Sequence, residues 1–157
     1  MKAWVFGDNI DTDAIAPGRY MKLGIEEIST HCFESTVPDF SKKIKPGDFV
    51  VAGRNFGTGS SREQAPAALK HLGVAALIAE SFAGLFYRNA LNLGLPALVC
   101  ANARRIRSGD QLEMDLDRAV ILNKTNGEKF ECEPLPAHLV AMVRDGGLLA
   151  HLEKRLK

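Results

Sequence analysis

Residues 49–79 read FVVAGRNFGTGSSREQAPAALKHLGVAALIA, and their pattern predicts a strand, a loop, a helix and a second strand. The runs 49–52 and 74–79 are continuously apolar, which is typical of strands that are covered on both faces. Between them, the segment 62–72 predicts a helix that Gly73 ends. Two parallel strands joined through a helix require a right-handed crossover, so this stretch indicates an α/β fold with a parallel core sheet.

The sequence on either side of this stretch extends the same pattern. Residues 2–6 predict an opening strand, and residues 97–99 predict another short strand. Ser81 predicts the N-cap of a second helix over 82–93. The segment that follows the first strand is less regular, and residues 26–33 are its candidate for a short helix.

The last third of the chain carries a different pattern. Residues 111–116 alternate between polar and apolar, residues 119–122 form a short apolar run, and Asn126-Gly127 is a strong hairpin signal. Helical patterns follow on both sides of Gly146-Gly147. We therefore predict antiparallel strands and helical ends that pack on the parallel core, with residues 1–157 forming one domain.

Composition limits the classes of function. The chain has 157 residues, is 46% hydrophobic and 25% charged, and has a formal net charge of +1, so no overall field attracts nucleic acid or membrane. Arg104-Arg105 is too short a basic run to be a binding patch, and we expect it to be solvated. The chain has no apolar run of transmembrane length and no secretory signal, which predicts a cytoplasmic protein. Cys32, Cys100 and Cys132 have no metal-binding spacing, so we expect reduced thiols and no metal ligands from this chain.

The loop 53–63, GRNFGTGSSRE, contains the densest set of functional groups. Its glycines allow a close approach to a ligand, and Ser60, Ser61 and Arg62 follow at the start of the predicted helix. Hydroxyls, a guanidinium and free backbone N–H groups at a helix N-terminus suit an anionic substrate. The alternative is purely structural, because Ser60 and Glu63 also fit an S-x-x-E capping box.

Other polar groups in the sequence favour structural roles. The segment 8–13, DNIDTD, lacks the glycine and the late glutamate of a calcium loop, so Asx turns and capping are its simplest roles. One of its carboxylates is alternatively available to pair with a histidine of a partner. The four histidines are scattered, and the adjacent His31 and Cys32 point apart, which argues against a nucleophilic pair. Residues 87–89 read as a partly exposed helix face.

Three ordered motifs resemble one family. Residues 11–20, DTDAIAPGRY, are similar to a D-T-D-x-I-x-P-x-R-Y segment of isopropylmalate dehydratase small subunits. Residues 53–63 resemble their G-[KR]-N-F-G-x-G-S-S-R-E loop, and residues 78–90, IAESFAGLFYRNA, resemble their I-A-E-S-F-A-x-x-F-Y-R-N-A segment. The resemblance covers nearly the whole chain.

The resemblance implies a fold and a partner. The fold would be the three-layer β/β/α swivelling domain of the aconitase superfamily, here a separate chain. Its partner would be a large subunit that carries a four-iron, four-sulfur cluster, with the active site formed between the two chains. The reaction would be a reversible dehydration and hydration of a hydroxy di- or tricarboxylic acid, in which the cluster iron acts as a Lewis acid.

The resemblance also assigns residue roles. Ser60 would be the base, acting as an activated alkoxide that the Gly59 and Ser61 N–H groups, the helix N-terminus and Arg62 stabilise. Ser61 and Arg62 would bind a substrate carboxylate. Asp13 would pair with a histidine of the large subunit.

The resemblance leaves the substrate open. In this superfamily the loop after the Arg-Tyr pair sets specificity, and homoaconitases carry an arginine two residues beyond the tyrosine. Here Lys22 holds that position, between Met21 and Leu23, which suit an apolar side group. A lysine is a point charge and not a planar fork, and it can also point to solvent. We expect 3-isopropylmalate first, with homoaconitate-type acids and dialkylmalates as alternatives.

Two further readings compete with this one. A stand-alone anion-binding domain would use the same Gly-Ser-Ser-Arg loop, but it would gain nothing from the nearby carboxylates at 11–13. A related dehydratase subunit acting on a phosphorylated mevalonate is the third reading. Its small subunits tend to be shorter than this chain.

Overall fold

A four-stranded parallel sheet forms the centre of the protein in the computed structural model, which describes residues 1–156. The strands are β1 (Ala3–Val5), β2 (Phe49–Ala52), β3 (Ala76–Ala79) and β4 (Ala97–Val99), and they lie in this order. All pairs are parallel. Every residue of β2 and β3 is buried, because both faces of these strands are covered. The prediction of a parallel core is confirmed.

Seven α-helices connect or flank the strands of residues 1–156. Their bounds are α1 Thr12–Ile15, α2 Ile25–Ser29, α3 Phe40–Lys43, α4 Gln64–His71, α5 Gly84–Asn92, α6 Ala137–Arg144 and α7 Leu148–Arg155. Short 3₁₀ turns occur at Gly18–Tyr20 and Ala103–Arg105. None of these helices is long and apolar enough to cross a membrane.

A second sheet of three antiparallel strands packs beside the first. It consists of β5 (Leu112–Asp115), β6 (Val120–Asn123) and β7 (Lys129–Glu131), in sequence order. Leu112, Ile121 and Phe130 point into the core from this sheet and are buried. The predicted turn at Asn126-Gly127 joins β6 to β7. Two sheets with helices on the outside give the expected three-layer β/β/α arrangement.

Both predicted crossover helices begin later than their sequence indicates. Helix α4 begins at Gln64 after the N-cap Glu63, which makes no side-chain capping bond, so the predicted capping box of Ser60 and Glu63 is wrong. Helix α5 begins at Gly84, and the hydroxyl of Ser81 accepts a hydrogen bond from the Asn55 N–H group at 2.8 Å instead of capping the helix. Before α5, the bridge between Phe82 and Phe56 competes with the first helical turn.

The irregular segment between β1 and β2 packs into an aromatic cluster. Phe33 stacks on Phe6 with ring centroids 4.1 Å apart, and Phe40 packs edge-on against both rings. Phe33 has a positive φ of 53°, which ends the regular backbone, and its N–H group donates to the Ile15 carbonyl. The candidate helix over 26–33 is therefore shorter than expected, since α2 ends at Ser29.

The three cysteines of the chain are free and buried. Burial raises the pKa of the Cys32 thiol to about 12, so this side chain stays protonated near neutral pH. The expectation of reduced thiols agrees with this placement.

A buried carboxylate joins the N-terminus of the chain to the turn before β2. Asp48 accepts hydrogen bonds from the backbone N–H groups of Lys2 and Lys45 and from the Trp4 indole, each at 3.0 Å. Burial opposes ionisation of Asp48, but the three donors outweigh it and hold the pKa of this carboxyl below its usual range. The ionised form is therefore part of the native structure.

We expect Asp48→Asn to destabilise the protein by about 2 kcal/mol at pH 7, because the amide turns an N–H group toward buried donors. Urea unfolding measures the change, and Glu113→Ala, which alters an exposed carboxylate, is the control. The native pKa of Asp48 is depressed, so its contribution is complete above the unfolded pKa of about 3.9 and is lost as the pH falls through the native value. A difference between wild type and variant that grows on acidification contradicts this assignment.

Candidate functional site

The loop 53–62 lies at the carboxyl edge of the parallel sheet, where it pairs with a neighbour on each side. On one side the Gly57 N–H group donates to the Ile10 carbonyl at 2.7 Å, and the Thr12 N–H group donates to Thr58 at 2.8 Å. On the other side the Phe56 N–H group donates to the Ser81 carbonyl at 3.1 Å. The three motifs that were singled out in the sequence therefore meet at one place.

Two glycines make this approach possible. Gly57 has a φ of +85°, and a Cβ atom there would lie 2.1 Å from Cγ of the buried Phe86. Gly59 has a φ of +106°, and its Cβ would lie 3.2 Å from Oγ1 of Thr12. Larger side chains would be strained at both positions and would push the loop away from α5 or from α1.

The Ser60 hydroxyl is held by two neighbours. Arg62 donates from Nε to Ser60 Oγ at 2.6 Å, and Thr12 Oγ1 lies 3.1 Å from the same oxygen. Thr12 Oγ1 also accepts the Ser60 backbone N–H at 3.2 Å. Either hydroxyl is able to donate in the Thr12–Ser60 pair, but an ionised Ser60 has no proton to give, so Thr12 is the donor in that state. Ser60 Oγ then accepts from a cation and from a hydroxyl.

Sequence reasoning missed Thr12. Its side chain is 2% exposed, so the structure fixes its position, whereas Ser60 is exposed to solvent. Its place inside the D-T-D segment was the one sequence feature that pointed to it, but the two flanking carboxylates are the more obvious functional groups there. The arrangement places a fixed donor behind an accessible oxygen.

The predicted residues Asp13 and Arg62 lie next to each other. Their side chains approach to 4.0 Å between Asp13 Oδ1 and Arg62 Nη2, and Asp13 Oδ1 also accepts the Gly18 N–H at 2.7 Å. The Asp13 side chain is 69% exposed, compared with 32% for Arg62. Asp13 thus has a fixed orientation and an open face toward solvent.

The remaining predicted residues are accessible. Gly59 and Ser61 are exposed, and the Ser61 carbonyl accepts a hydrogen bond from Nδ2 of Asn89 at 3.2 Å. Residues 87–89 form a partly exposed helix face, as predicted, and Asn89 in addition contacts the loop. Lys22 lies on the turn after Gly18–Tyr20 and is exposed.

A shallow pocket borders the site on the Asp13 side. Its volume is about 230 Å³, and it is lined by Asp13, Pro17, Gly18, Arg19, Glu34 and Ser35. Ser60 lies outside this lining, on the open surface beside it. A substrate at Ser60 would therefore face water unless another molecule covered it.

The acidic segment 8–13 has divided roles. Asp11 caps α1 by accepting the Ala14 N–H at 2.7 Å, as the capping interpretation predicts. Asp8 accepts two hydrogen bonds from Nη2 of Arg104, at 2.6 and 2.7 Å, which hold the pKa of this carboxyl below its usual range. Asp11 and Asp13 are both exposed, and Asp13 is the one whose side chain lies beside Arg62.

Arg104 is exposed, as expected, but it also belongs to an ion-pair network. Besides Asp8, it contacts the Glu80 carboxylate, whose other oxygen accepts from Nε of Arg54 at 3.3 Å. This network ties the ends of β1 and β3 to the start of the functional loop. Within residues 1–156 the structure contains no group of three or more His, Cys, Asp or Glu residues that could hold a metal ion.

Comparison with known proteins shows which family this chain resembles. Residues 9–103 match the model of the aconitase C-terminal domain. The chain is 50% identical over 155 residues to the 3-isopropylmalate dehydratase small subunit 2 of Archaeoglobus fulgidus, covering 98% of this chain and 93% of the relative. It is 46% identical to the methanogen homoaconitase small subunit of Methanothermobacter thermautotrophicus, covering 99% and 91% of the two chains.

The fold is similar to that of a solved structure. A crystal structure of 3-isopropylmalate dehydratase from Methanocaldococcus jannaschii superposes with a TM-score of 0.93 at 44% sequence identity. The match covers 99% of this chain and 93% of the other. The likeness therefore includes both sheets and the C-terminal helices.

Proposed function

The chain belongs to the aconitase C-terminal domain family, and we propose that it is the small subunit of a hydro-lyase that interconverts 3-isopropylmalate and 2-isopropylmalate in leucine biosynthesis. The single observation that carries this proposal is the Thr12–Ser60–Arg62 arrangement, which holds an exposed hydroxyl between a second hydroxyl and a guanidinium. As part of the same proposal, residues 1–157 act as one domain in the cytoplasm.

We assign the four-iron, four-sulfur cluster of the enzyme to a large subunit. The described residues of this chain do not fit a cluster, since they offer no grouped ligand set. The open surface at Ser60 supports a partner that completes the site. The steps below therefore concern only what this chain's own residues do.

Ser60 is the proposed general base. Its alkoxide removes a proton from the carbon next to a substrate carboxylate and becomes a hydroxyl. The electron pair left on that carbon forms a double bond to the neighbouring carbon, where the C–O bond breaks. The cluster of the large subunit, when bound, would supply the Lewis acid that accepts the departing hydroxide. A serine hydroxyl is a very weak acid in water, so the alkoxide needs strong stabilisation. The Thr12 hydroxyl and Arg62 Nε supply two donors aimed at the oxygen that becomes charged.

The neighbouring groups bind the substrate and the partner. Ser61, Arg62 and the Gly59 N–H group face the same open surface and suit a carboxylate. Asp13 is held by the Gly18 N–H and exposed, so it is placed to pair with a histidine of the large subunit. This pairing would orient the partner's imidazole toward the shared site.

Lys22 makes a tricarboxylic substrate the second candidate. It is exposed on a turn that begins beside Arg62, and one relative is named a homoaconitase small subunit. Leu23, which is 40% exposed on the same turn, instead favours an apolar side group such as isopropyl. Dialkylmalates remain a further alternative, and a stand-alone anion-binding domain accounts least well for Asp13.

Ser60→Ala is expected to lower kcat by about 10²- to 10⁴-fold in the complex with the large subunit, because the variant lacks the base. Turnover of 3-isopropylmalate is followed by absorbance of the unsaturated intermediate, and association is checked by size-exclusion chromatography. Ser41→Ala is the control, since it removes a hydroxyl that bonds the Thr30 carbonyl away from the site. Near-wild-type turnover in Ser60→Ala with an intact complex would contradict the assignment of Ser60 as the base.

Thr12→Val is expected to lower kcat by roughly 10- to 100-fold with little change in KM, because one donor to the developing serine alkoxide is lost. Thr12→Ser retains the hydroxyl and should recover most of the rate. Steady-state kinetics of the two variants separates the hydroxyl from the shape of the side chain. Equal losses in both variants would show that the threonine acts through packing.

Lys22→Val is expected to leave kcat/KM for 3-isopropylmalate within about twofold and to lower it at least tenfold for homoaconitate, whose extra carboxylate loses its cation. The two substrates are compared in the same complex preparation. If neither value changes, Lys22 is not the selector. A fall for 3-isopropylmalate alone would contradict the expected substrate preference.

A further inference from the structure

A cluster of polar and aromatic side chains lies beside the site without taking part in the proposed reaction. The rings of Tyr20 and His31 stack with centroids 3.6 Å apart and an angle of 9° between their planes. His31 Nδ1 lies 2.7 Å from Oε2 of Glu34, and Arg19 donates to Oε1 of the same carboxylate at 2.8 Å. The Arg19 guanidinium lies 4.9 Å from the centre of the Tyr20 ring.

Glu34 connects the two residues of the Arg-Tyr pair. One of its oxygens holds Arg19, and the other holds the histidine that stacks on Tyr20. His31 and Arg19 together lower the pKa of the Glu34 carboxyl, so it is ionised near neutral pH. An exposed ion pair alone contributes little to stability. Here the Glu34 carboxylate and the stacked rings together hold the adjacent residues Arg19 and Tyr20.

The segment that carries His31 and Glu34 is fixed to the core. Ile28, Cys32 and Phe33 are each at most 1% exposed, and the Phe33 N–H group donates to the carbonyl of Ile15 in α1. His31 and Glu34 therefore project from a rigid base toward residues 19 and 20.

The turn they hold has few backbone ties to the rest of the chain, although Tyr20 and Met21 pack partly against the core. Between residues 19 and 23 the backbone N–H groups of Tyr20, Met21 and Leu23 bond to carbonyls of residues 17–20, within the turn itself. Its first residue, Gly18, touches the site, because a Cβ atom there would lie 2.7 Å from Nη1 of Arg62 and 3.2 Å from Oδ1 of Asp13. The exposed residues Lys22 and Leu23 follow directly.

We propose that His31 and Glu34 are positioning residues, which hold the Arg19–Tyr20 turn and so determine which substrate side group the loop 21–24 accepts beside Ser60 and Arg62. The substrate part of this proposal rests on the proposed function above. The positioning part rests on the contacts of this chain alone. In the sequence, His31 was considered only as a nucleophilic partner of Cys32, and Glu34 was not considered.

Hydrogen–deuterium exchange of the full chain tests the positioning part without any substrate. In His31→Ala the peptide covering residues 18–24 should exchange about tenfold faster than in wild type, while the peptides of β2 and β3 stay protected. His31→Phe keeps a ring for stacking and should give an intermediate rate. His138→Ala, an exposed histidine on α6, is the matched control. Unchanged exchange at 18–24 in both His31 variants overturns the proposal.

Kinetics of the complex tests the substrate part. His31→Ala and Glu34→Gln should raise KM about tenfold, keep kcat within about threefold, and reduce the preference between 3-isopropylmalate and homoaconitate. His31→Phe should restore part of the preference. An equal loss of kcat for both acids would indicate a general structural role and would overturn the substrate part of the proposal. A wild-type complex inactive on every such acid refutes the proposed function, while the exchange experiment still decides the positioning part.

Discussion

The parallel arrangement of β1, β2 and β3 is the constraint on which the site depends. Parallel strands place their carboxyl ends at one edge of the sheet, so the segments after all three strands begin side by side. The loop 53–62 fills the space between the other two segments and bonds to Ile10 on one side and Ser81 on the other. Gly57 and Gly59 allow this insertion, since side chains there would meet Phe86 and Thr12. The positions of Thr12, Ser60 and Arg62 follow from this pairing.

Much of the fold was predictable, because its strongest signals are local. The strands β2 and β4 begin and end where their apolar runs predict, and the turn at Asn126-Gly127 defines the second sheet. Helix starts were less predictable, since a serine before a helix is equally suited to a distant bond. Ser81 accepts from Asn55 and Ser60 pairs with Thr12, and both interactions depend on which segments become neighbours.

The exposed residues of the site were predictable from the sequence, but the residues that hold them in place were not. The sequence motifs contain Ser60, Ser61, Arg62 and Asp13. In the structure, Arg62 contacts both Ser60 and Asp13. Thr12 and Arg104 act through partners about 50 to 100 residues away in sequence, at Ser60 and Asp8. No local pattern marks such a contact, because a buried threonine and a surface arginine look the same whether or not a partner faces them.

The exposure of Ser60 explains why the proposed base would need a partner chain. The donors to Ser60 are in place in the isolated chain, with Thr12 buried and Arg62 half-buried. Water that reaches Ser60 competes for the same oxygen and protonates an alkoxide, and it weakens both donors by raising the local dielectric. Covering the surface around Ser60, Ser61 and Asp13 removes that water while leaving the donors unchanged. Under the proposed function, activation of the base and closure of the site are therefore one event, which would couple catalysis on this chain to assembly with the large subunit.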